Sequence, residues 1–131
     1  MRSRCLRQHC CLAPLRRVEA LRNRLWSGLK GQFGSGVVWN GDPEHCLPNT
    51  LNVSFVGRVG ADILQCLEGV AASTGSACHA GLIELSPVLK AMGVAPEIGM
   101  GAIRFSLGRI TTDREIDAAI DQLAAAVTHT A

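Results

Sequence analysis

The stretch AIRFSLGRITTDREIDAAIDQLAAAV, residues 102–127, predicts a strand followed by a helix. Apolar and polar residues alternate over residues 102–107, which is typical of a strand with one buried face. Thr112 and Glu115 then have the spacing of a capping box, which satisfies free backbone N–H groups at the start of a helix. The apolar residues that follow recur at helical spacing: Ile116, Ala119, Ile120, Leu123 and Val127.

The rest of the chain predicts further helices and strands in turn. Val18, Leu21, Leu25 and Leu29 indicate a helix from Pro14 to about Lys30, with Arg16, Arg17, Arg22 and Arg24 mostly on its other faces. Strands are expected over residues 37–39, 50–56 and 70–73, and helices over 61–68 and 86–92. A chain of 131 residues has the size of one domain. The expected fold is α/β (α+β), a small mixed sheet of about three to four strands with helices packed on it.

Composition narrows the function classes. No apolar run approaches the ~20 residues of a membrane span, and the chain has two Trp, three Phe and no Tyr for base stacking. Residues 1–30 carry eight Lys and Arg against one acid, Glu19. A solvated helix face explains this charge better than a nucleic-acid, anionic-surface or targeting segment. We therefore expect no nucleic-acid partner, no membrane and a cytoplasmic location.

The six cysteines contain no Cys-x-x-Cys pair, and no signal-peptide pattern accompanies them, so most should be free thiols. His9, Cys10 and Cys11 are too close in sequence to favour a metal site, and no metal is expected. Cys66 lies in a predicted amphipathic helix and is expected in the core.

The segment STGSACHAG, residues 73–81, holds a thiol, a histidine and three hydroxyls between a predicted strand and helix. Small neighbours leave Cys78 accessible, and His79 or a nearby hydroxyl such as that of Ser76 could lower its pKa for nucleophilic attack. The residues alone leave a second interpretation open, in which Cys78 is a small buried apolar side chain.

Arg104 interrupts an apolar strand, where a guanidinium is costly without an anionic partner. Two interpretations are open. Arg104 forms a salt bridge with Asp62 or another acid, or it binds the carboxylate of a small ligand with its planar set of donors.

Four segments in chain order together resemble one family: LPNTLNVSF (47–55), STGSACHAG (73–81), SPVL (86–89) and IRFSLGR (103–109). They resemble the cysteine desulfurases, pyridoxal-phosphate-dependent enzymes of the class-V aminotransferase type, with selenocysteine lyases as a close sibling. The resemblance runs from about Pro14 to the C-terminus. It covers the family's C-terminal small domain, which has the fold of the small domain of fold-type I pyridoxal phosphate enzymes.

The resemblance implies roles for two residues. Cys78 matches the mobile cysteine that takes the sulfur of L-cysteine as a persulfide and leaves L-alanine, and Arg104 matches the arginine that binds the substrate carboxylate. His79 and Ser76 are accessory candidates without an assigned step. The implied partners are a large domain that binds pyridoxal phosphate or a homodimer partner, and a sulfur-acceptor protein of iron–sulfur or thiolation machinery.

The sequence also departs from the family. The family's cofactor lysine lies in a His-Lys motif of the large domain, and neither Lys30 nor Lys90 matches it. No cofactor-binding residue is therefore assigned here, and the chain alone is expected not to release sulfur from cysteine. Residues 1–13 match nothing in the family, so the expected division is a basic N-terminal segment (1–13) and a small domain (14–131).

Three alternatives stay open beside a cysteine desulfurase domain. They are a selenocysteine lyase-type domain, a sulfur-relay or binding module without a cofactor, and a non-functional fragment.

Overall fold

A computed structural model describes residues 5–74, 77–79 and 82–130, with side chains described over residues 12–74 and 84–130. Its five helices are α1 (Cys5–Phe33), α2 (Gly60–Gln65), α3 (Pro87–Ala91), α4 (Pro96–Gly99) and α5 (Asp113–His129). Its six strands are β1 (Val37–Trp39), β2 (Thr50–Phe55), β3 (Ala72–Thr74), β4 (Ala77–His79), β5 (Leu82–Glu84) and β6 (Ala102–Ser106). These elements confirm the expected combination of a small sheet with helices packed on it.

Four strands form one sheet in the order β1-β2-β6-β3, and β4 and β5 form a separate two-stranded hairpin. Each neighbouring pair in the four-stranded sheet is antiparallel, whereas a mixed sheet was expected. The reason is the position of β6. Strands β2 and β3, which α2 connects, run in the same direction, but β6 lies between them and pairs antiparallel with both. The parallel pairing that a strand–helix–strand connection favours is thereby avoided.

The core lies between one face of this sheet and the two long helices. Leu51, Val53 and Phe55 alternate along β2 and are buried, and Ile103 and Phe105 do the same on β6. Helix α1 contributes Val18, Leu21, Leu25 and Leu29, and α5 contributes Ile116, Leu123, Ala126 and Val127. The opposite face of the sheet is left for polar side chains, because strand residues alternate between the two faces.

Helix α5 confirms the predicted capping box. Thr112 accepts a hydrogen bond from the Glu115 backbone N–H, and the Glu115 carboxylate accepts one from the Thr112 backbone N–H at 2.8 Å. These bonds to the carboxylate lower the pKa of Glu115. The sequence thus determined the start of this helix by local chemistry alone.

Helix α1 differs from its prediction in two respects. It begins at Cys5, with Pro14 inside it, because residues 5–13 contain neither a glycine nor a proline that would end the helix. Arg22 is only 3% exposed, although it was placed on a solvated face. Its guanidinium lies 5.3 Å from the centroid of the Trp39 ring and donates to the Leu47 carbonyl at 2.8 Å, which compensates its burial.

The segment between β3 and α3 also differs from its prediction. A loop was expected after the predicted strand 70–73, yet β3 extends to Thr74 and the β4–β5 hairpin follows. Residues 96–99 form the short helix α4, which periodicity did not indicate. In the described part of the chain, no helix combines the length and apolar character needed to cross a membrane.

Candidate functional site

Arg104 lies in the middle of β6, on the polar face of the sheet. In the strand register it is opposite Asn52 of β2 on one side and Ser73 of β3 on the other. Its neighbours Ile103 and Phe105 point into the core, so the Arg104 side chain leaves the sheet on the other face and is exposed. The predicted alternation of this strand thus places the guanidinium outside the core.

The Arg104 guanidinium pairs with no acidic side chain in the described part of the chain. Of the salt bridges and hydrogen bonds among the described residues, none involves the Arg104 side chain, and Asp62 in the first turn of α2 does not pair with it. The salt bridge to Asp62, one of the two interpretations above, is therefore wrong. An arginine that pairs with no acidic side chain of the described residues is available to an anionic ligand.

A cavity of about 160 Å³ adjoins Arg104. The polar face of the sheet forms one wall, and α3 with the residue before it, Ser86, forms another. The lining residues are Asn40, Asn52, Ser73, Thr74, Ser86, Val88, Leu89, Met92 and Arg104. Arg104 supplies the only formal charge among these lining residues. A wall of one guanidinium, amides and hydroxyls suits a small anionic molecule.

Two asparagines of this cavity, Asn40 and Asn52, were not identified as site residues by the sequence analysis. The Nδ2 atom of Asn40 donates to Oδ1 of Asn52 at 2.9 Å and to Oγ of Ser54 at 2.8 Å. Asn40 is 8% exposed and Ser54 is fully buried. The alternation of polar residues with buried ones along β2 was the available signal for this polar face.

The other predicted site residues belong to the adjacent hairpin. Cys78 and His79 lie on β4, whose backbone pairs Cys78 with Ile83 and His79 with Leu82 of β5. Their side chains, and the whole of Ser76, lie outside the described residues. Cys78 follows Thr74 by four residues, so their Cα atoms are at most about 14 Å apart. Chain connectivity therefore limits the distance between the predicted nucleophile and a residue that lines the cavity.

Cys46 and Cys66 are free thiols, as expected, but Cys66 is exposed where a core position was predicted. Helix α2 ends at Gln65, so Cys66 lies just after the helix and not on its buried face. The His45 side chain is 79% exposed, and its Nδ1 lies 2.7 Å from the Asp42 carboxylate. A surface contact with Asp42 therefore accounts for this histidine without a catalytic role. Among the described residues, no group of three or more His, Cys, Asp or Glu is arranged to hold a metal ion.

The described residues of the cavity do not fit pyridoxal phosphate, the cofactor that the resemblance implies. Enzymes hold this cofactor through a Schiff base with a lysine. Lys30 lies at the end of α1 with its Nζ 5.7 Å from the Trp26 ring centroid, and Lys90 is exposed on α3. Neither lysine is among the residues that line the cavity.

Comparison with protein-family models finds no match to this chain. Curated proteins do match it. The cysteine desulfurase IscS of Klebsiella pneumoniae is 47% identical over 109 residues, which are 83% of this chain and 26% of that protein. The cysteine desulfurase IscS of Proteus mirabilis is 46% identical over 112 residues, which are 86% of this chain and 27% of that protein.

Solved structures agree with these relatives. A NifS-like protein superposes with a TM-score of 0.71 and 31% identity, covering 89% of this chain and 29% of that one. A NifS-like protein from Rickettsia africae gives a TM-score of 0.69 at 25% identity. The chain spans about a quarter of the length of the curated relatives. It is therefore related to the cysteine desulfurases over that quarter of their length.

Proposed function

We propose that this chain is the C-terminal small domain of a cysteine desulfurase, with Arg104 as the carboxylate-binding residue and Cys78 as the sulfur-accepting nucleophile. The observation that carries the proposal is the unpaired guanidinium of Arg104 in a small polar cavity, beside the strand that leads to Cys78. All the named curated relatives are cysteine desulfurases. That supports this function over a selenocysteine lyase domain, a sulfur-relay module or a non-functional fragment.

In the proposed reaction, Arg104 binds the carboxylate of L-cysteine and holds the amino acid against the sheet. The Cys78 sulfur forms an S–S bond with the substrate sulfur while the substrate Cβ–S bond breaks and that carbon takes up a proton. Cys78 is left as a persulfide and the amino acid as L-alanine, so no external oxidant is needed. A hairpin suits the nucleophile because it lies outside the four-stranded sheet that holds Arg104. His79 and Ser76 are accessory candidates close to the thiol in sequence.

The cofactor of the proposed enzyme, pyridoxal phosphate, would be bound by a large domain that these 131 residues do not include. The proposed setting is the cytoplasm, with the persulfide passed to an acceptor protein of iron–sulfur assembly. The chain alone is then expected to bind no cofactor productively and to release no sulfur.

A reconstitution experiment tests the assignment of Cys78. The chain is mixed with the cofactor-loaded large domain of a curated relative and with cysteine that is radiolabelled at sulfur. We expect label on the chain that a reducing agent removes, and mass spectrometry of peptides should place the extra sulfur on Cys78. The chain without the large domain should stay unlabelled.

The same labelling is repeated with Cys78→Ser. Its matched controls are Cys46→Ser and Cys66→Ser, because both of these cysteines are exposed free thiols. Only Cys78→Ser should abolish labelling. Label that survives in Cys78→Ser, or that is lost in either control, contradicts the assignment.

A further inference from the structure

The polar cluster of Asn40, Asn52 and Ser54 has a donor that its own hydrogen bonds leave unused. Asn40 joins the cluster through its backbone as well, because its N–H donates to the Asn52 carbonyl at 2.9 Å. Its side-chain amide then donates to Oδ1 of Asn52 and Oγ of Ser54. Every buried side-chain polar atom in the described part of the chain has a partner.

The Asn52 amide has a defined orientation in this cluster. Its Oδ1 accepts from Nδ2 of Asn40, so its NH₂ group points to the other side. That NH₂ group makes no hydrogen bond to any residue the structure describes, and Asn52 is half-buried in the wall of the cavity. The buried Asn40 thus orients a second amide, whose donors bond to no described residue.

The strand register brings this amide beside Arg104. Asn52 and Arg104 are directly opposite in the antiparallel pair of β2 and β6, so their Cβ atoms are about 4.5–5.5 Å apart. Both side chains line the same cavity. A carboxylate has two oxygens with about four acceptor sites, more than the guanidinium alone can use in a planar pair of bonds.

We propose that Asn52 is a second carboxylate-binding residue and that Asn40 is a positioning residue that holds the Asn52 amide toward the ligand. The inference rests on the proposed function, because it takes the carboxylate of the amino acid at Arg104 as the ligand. Arg104 supplies the charge, and Asn52 supplies a neutral donor whose direction is set before the ligand arrives. Such prior orientation lowers the entropic cost of binding.

The test follows side-chain resonances of the isotope-labelled full chain by proton–nitrogen correlation NMR while L-alanine is added. The NH₂ signals of Asn52 and the Nε–H signal of Arg104 should shift together, with one dissociation constant. L-Alaninamide, which lacks the carboxylate, should shift neither. This measurement needs no variant, so it remains decisive even where a substitution unfolds the protein.

Variants then separate the two asparagines. Asn52→Leu removes the donors at similar volume and should raise the dissociation constant of L-alanine about tenfold, the effect of losing one hydrogen bond to a charged group. Asn40→Leu should weaken binding and abolish the shift of the Asn52 signals while the Arg104 signal still responds. Asn49→Leu is the matched control, because Asn49 precedes β2 and does not line this cavity.

The outcomes distinguish the inference from the proposed function. If Arg104→Ala abolishes binding and Asn52→Leu leaves it unchanged, the role of Asn52 is wrong and that of Arg104 stands. If Asn40→Leu leaves the Asn52 shift intact, the positioning role is wrong. If L-alanine shifts neither residue, the inference falls together with the carboxylate site, whereas sulfur labelling of Cys78 tests the nucleophile independently.

Discussion

Gly101 occupies a position where the backbone of β2 leaves no room for a side chain. Its carbonyl accepts a hydrogen bond from the Phe55 N–H at 3.0 Å, and a Cβ built on Gly101 would overlap the Phe55 carbonyl oxygen. Since that oxygen belongs to the sheet backbone, it cannot move without disturbing the pairing of β2. We expect Gly101→Ala to lower the free energy of unfolding by about 3 kcal/mol, measured by urea denaturation.

Gly31→Ala is the matched control for this prediction. Gly31 lies in α1, and a Cβ there would meet no atom within 4 Å. Alanine should therefore stabilise the helix by up to about 1 kcal/mol. Equal stabilities of the two variants would contradict the crowding inferred at Gly101.

Single residues also show how far the sequence could predict the candidate site. Alternation along residues 102–107 was enough to place Arg104 on the exposed face of a strand. It was not enough to identify Asn52 as its neighbour, because that depends on the register between strands 50 residues apart. The burial of Arg22 depends in the same way on Trp39 and Leu47, which lie far along the chain.

At the scale of elements, α1 and α5 are joined by an ion pair at the surface. Arg24 donates from Nε to Oδ1 of Asp117 at 2.9 Å and from Nη2 to Oδ2 at 2.8 Å. The hydrogen bond from Arg24 lowers the pKa of Asp117 below its ordinary value. The folded state therefore holds this carboxylate ionised to a lower pH than the unfolded state does.

The pair thus predicts an acid-dependent contribution to stability. Because the pKa of Asp117 is lower when folded, the contribution is present above the unfolded pKa of about 3.9 and is lost as the pH falls below it. Asp117→Asn should flatten the decline of the melting temperature between about pH 5 and pH 2. Calorimetry at a series of pH values measures this.

Asp121→Asn is the control for the ion pair, because Asp121 is exposed on the same helix and forms no ion pair with a described residue. It should leave the acid dependence as in the parent chain. The carboxylates of Asp42 and Glu115, whose pKa values are also lowered, contribute to the dependence that remains. If both variants behave alike, the Arg24 pair has no role in acid stability.

Elements governed by local chemistry agree best with their predictions. The Thr112–Glu115 capping box and the apolar spacing of α5 are contained within one helix, so the sequence determines them directly. Helix α2 is shorter than predicted and ends at Gln65, before Cys66, although Leu67 continues the apolar spacing. Local periodicity identifies such an element but not the point where tertiary packing ends it.

At the scale of the whole molecule, the sheet order is the feature that the sequence could not supply. The last strand along the chain, β6, lies between β2 and β3 and thereby places Arg104 between Asn52 and Ser73. The residues of β6 do not by themselves predict which strands it pairs with. The strand order thus decides which residues come together in the candidate site. Alternation along each strand decides only which face of the sheet a residue occupies.

The extent of the folded unit gives the last prediction. In the part of the chain whose side chains the structure describes, the core contribution of α1 begins at Val18 and Leu21, whereas Leu12 and Leu15 are 48% and 47% exposed. The domain division expected from the sequence also starts the small domain at Pro14. Deletion of residues 1–11 should therefore change the free energy of unfolding by less than about 0.5 kcal/mol.

Urea denaturation of the shortened chain measures this, with Leu21→Ala in the full-length chain as the comparison. Leu21 is 3% exposed, so its truncation should cost about 2–5 kcal/mol through lost burial and an unfilled cavity. The two results together locate the boundary of the domain. If shortening costs as much as Leu21→Ala, the first residues of α1 pack on the core and the predicted boundary at Pro14 is wrong.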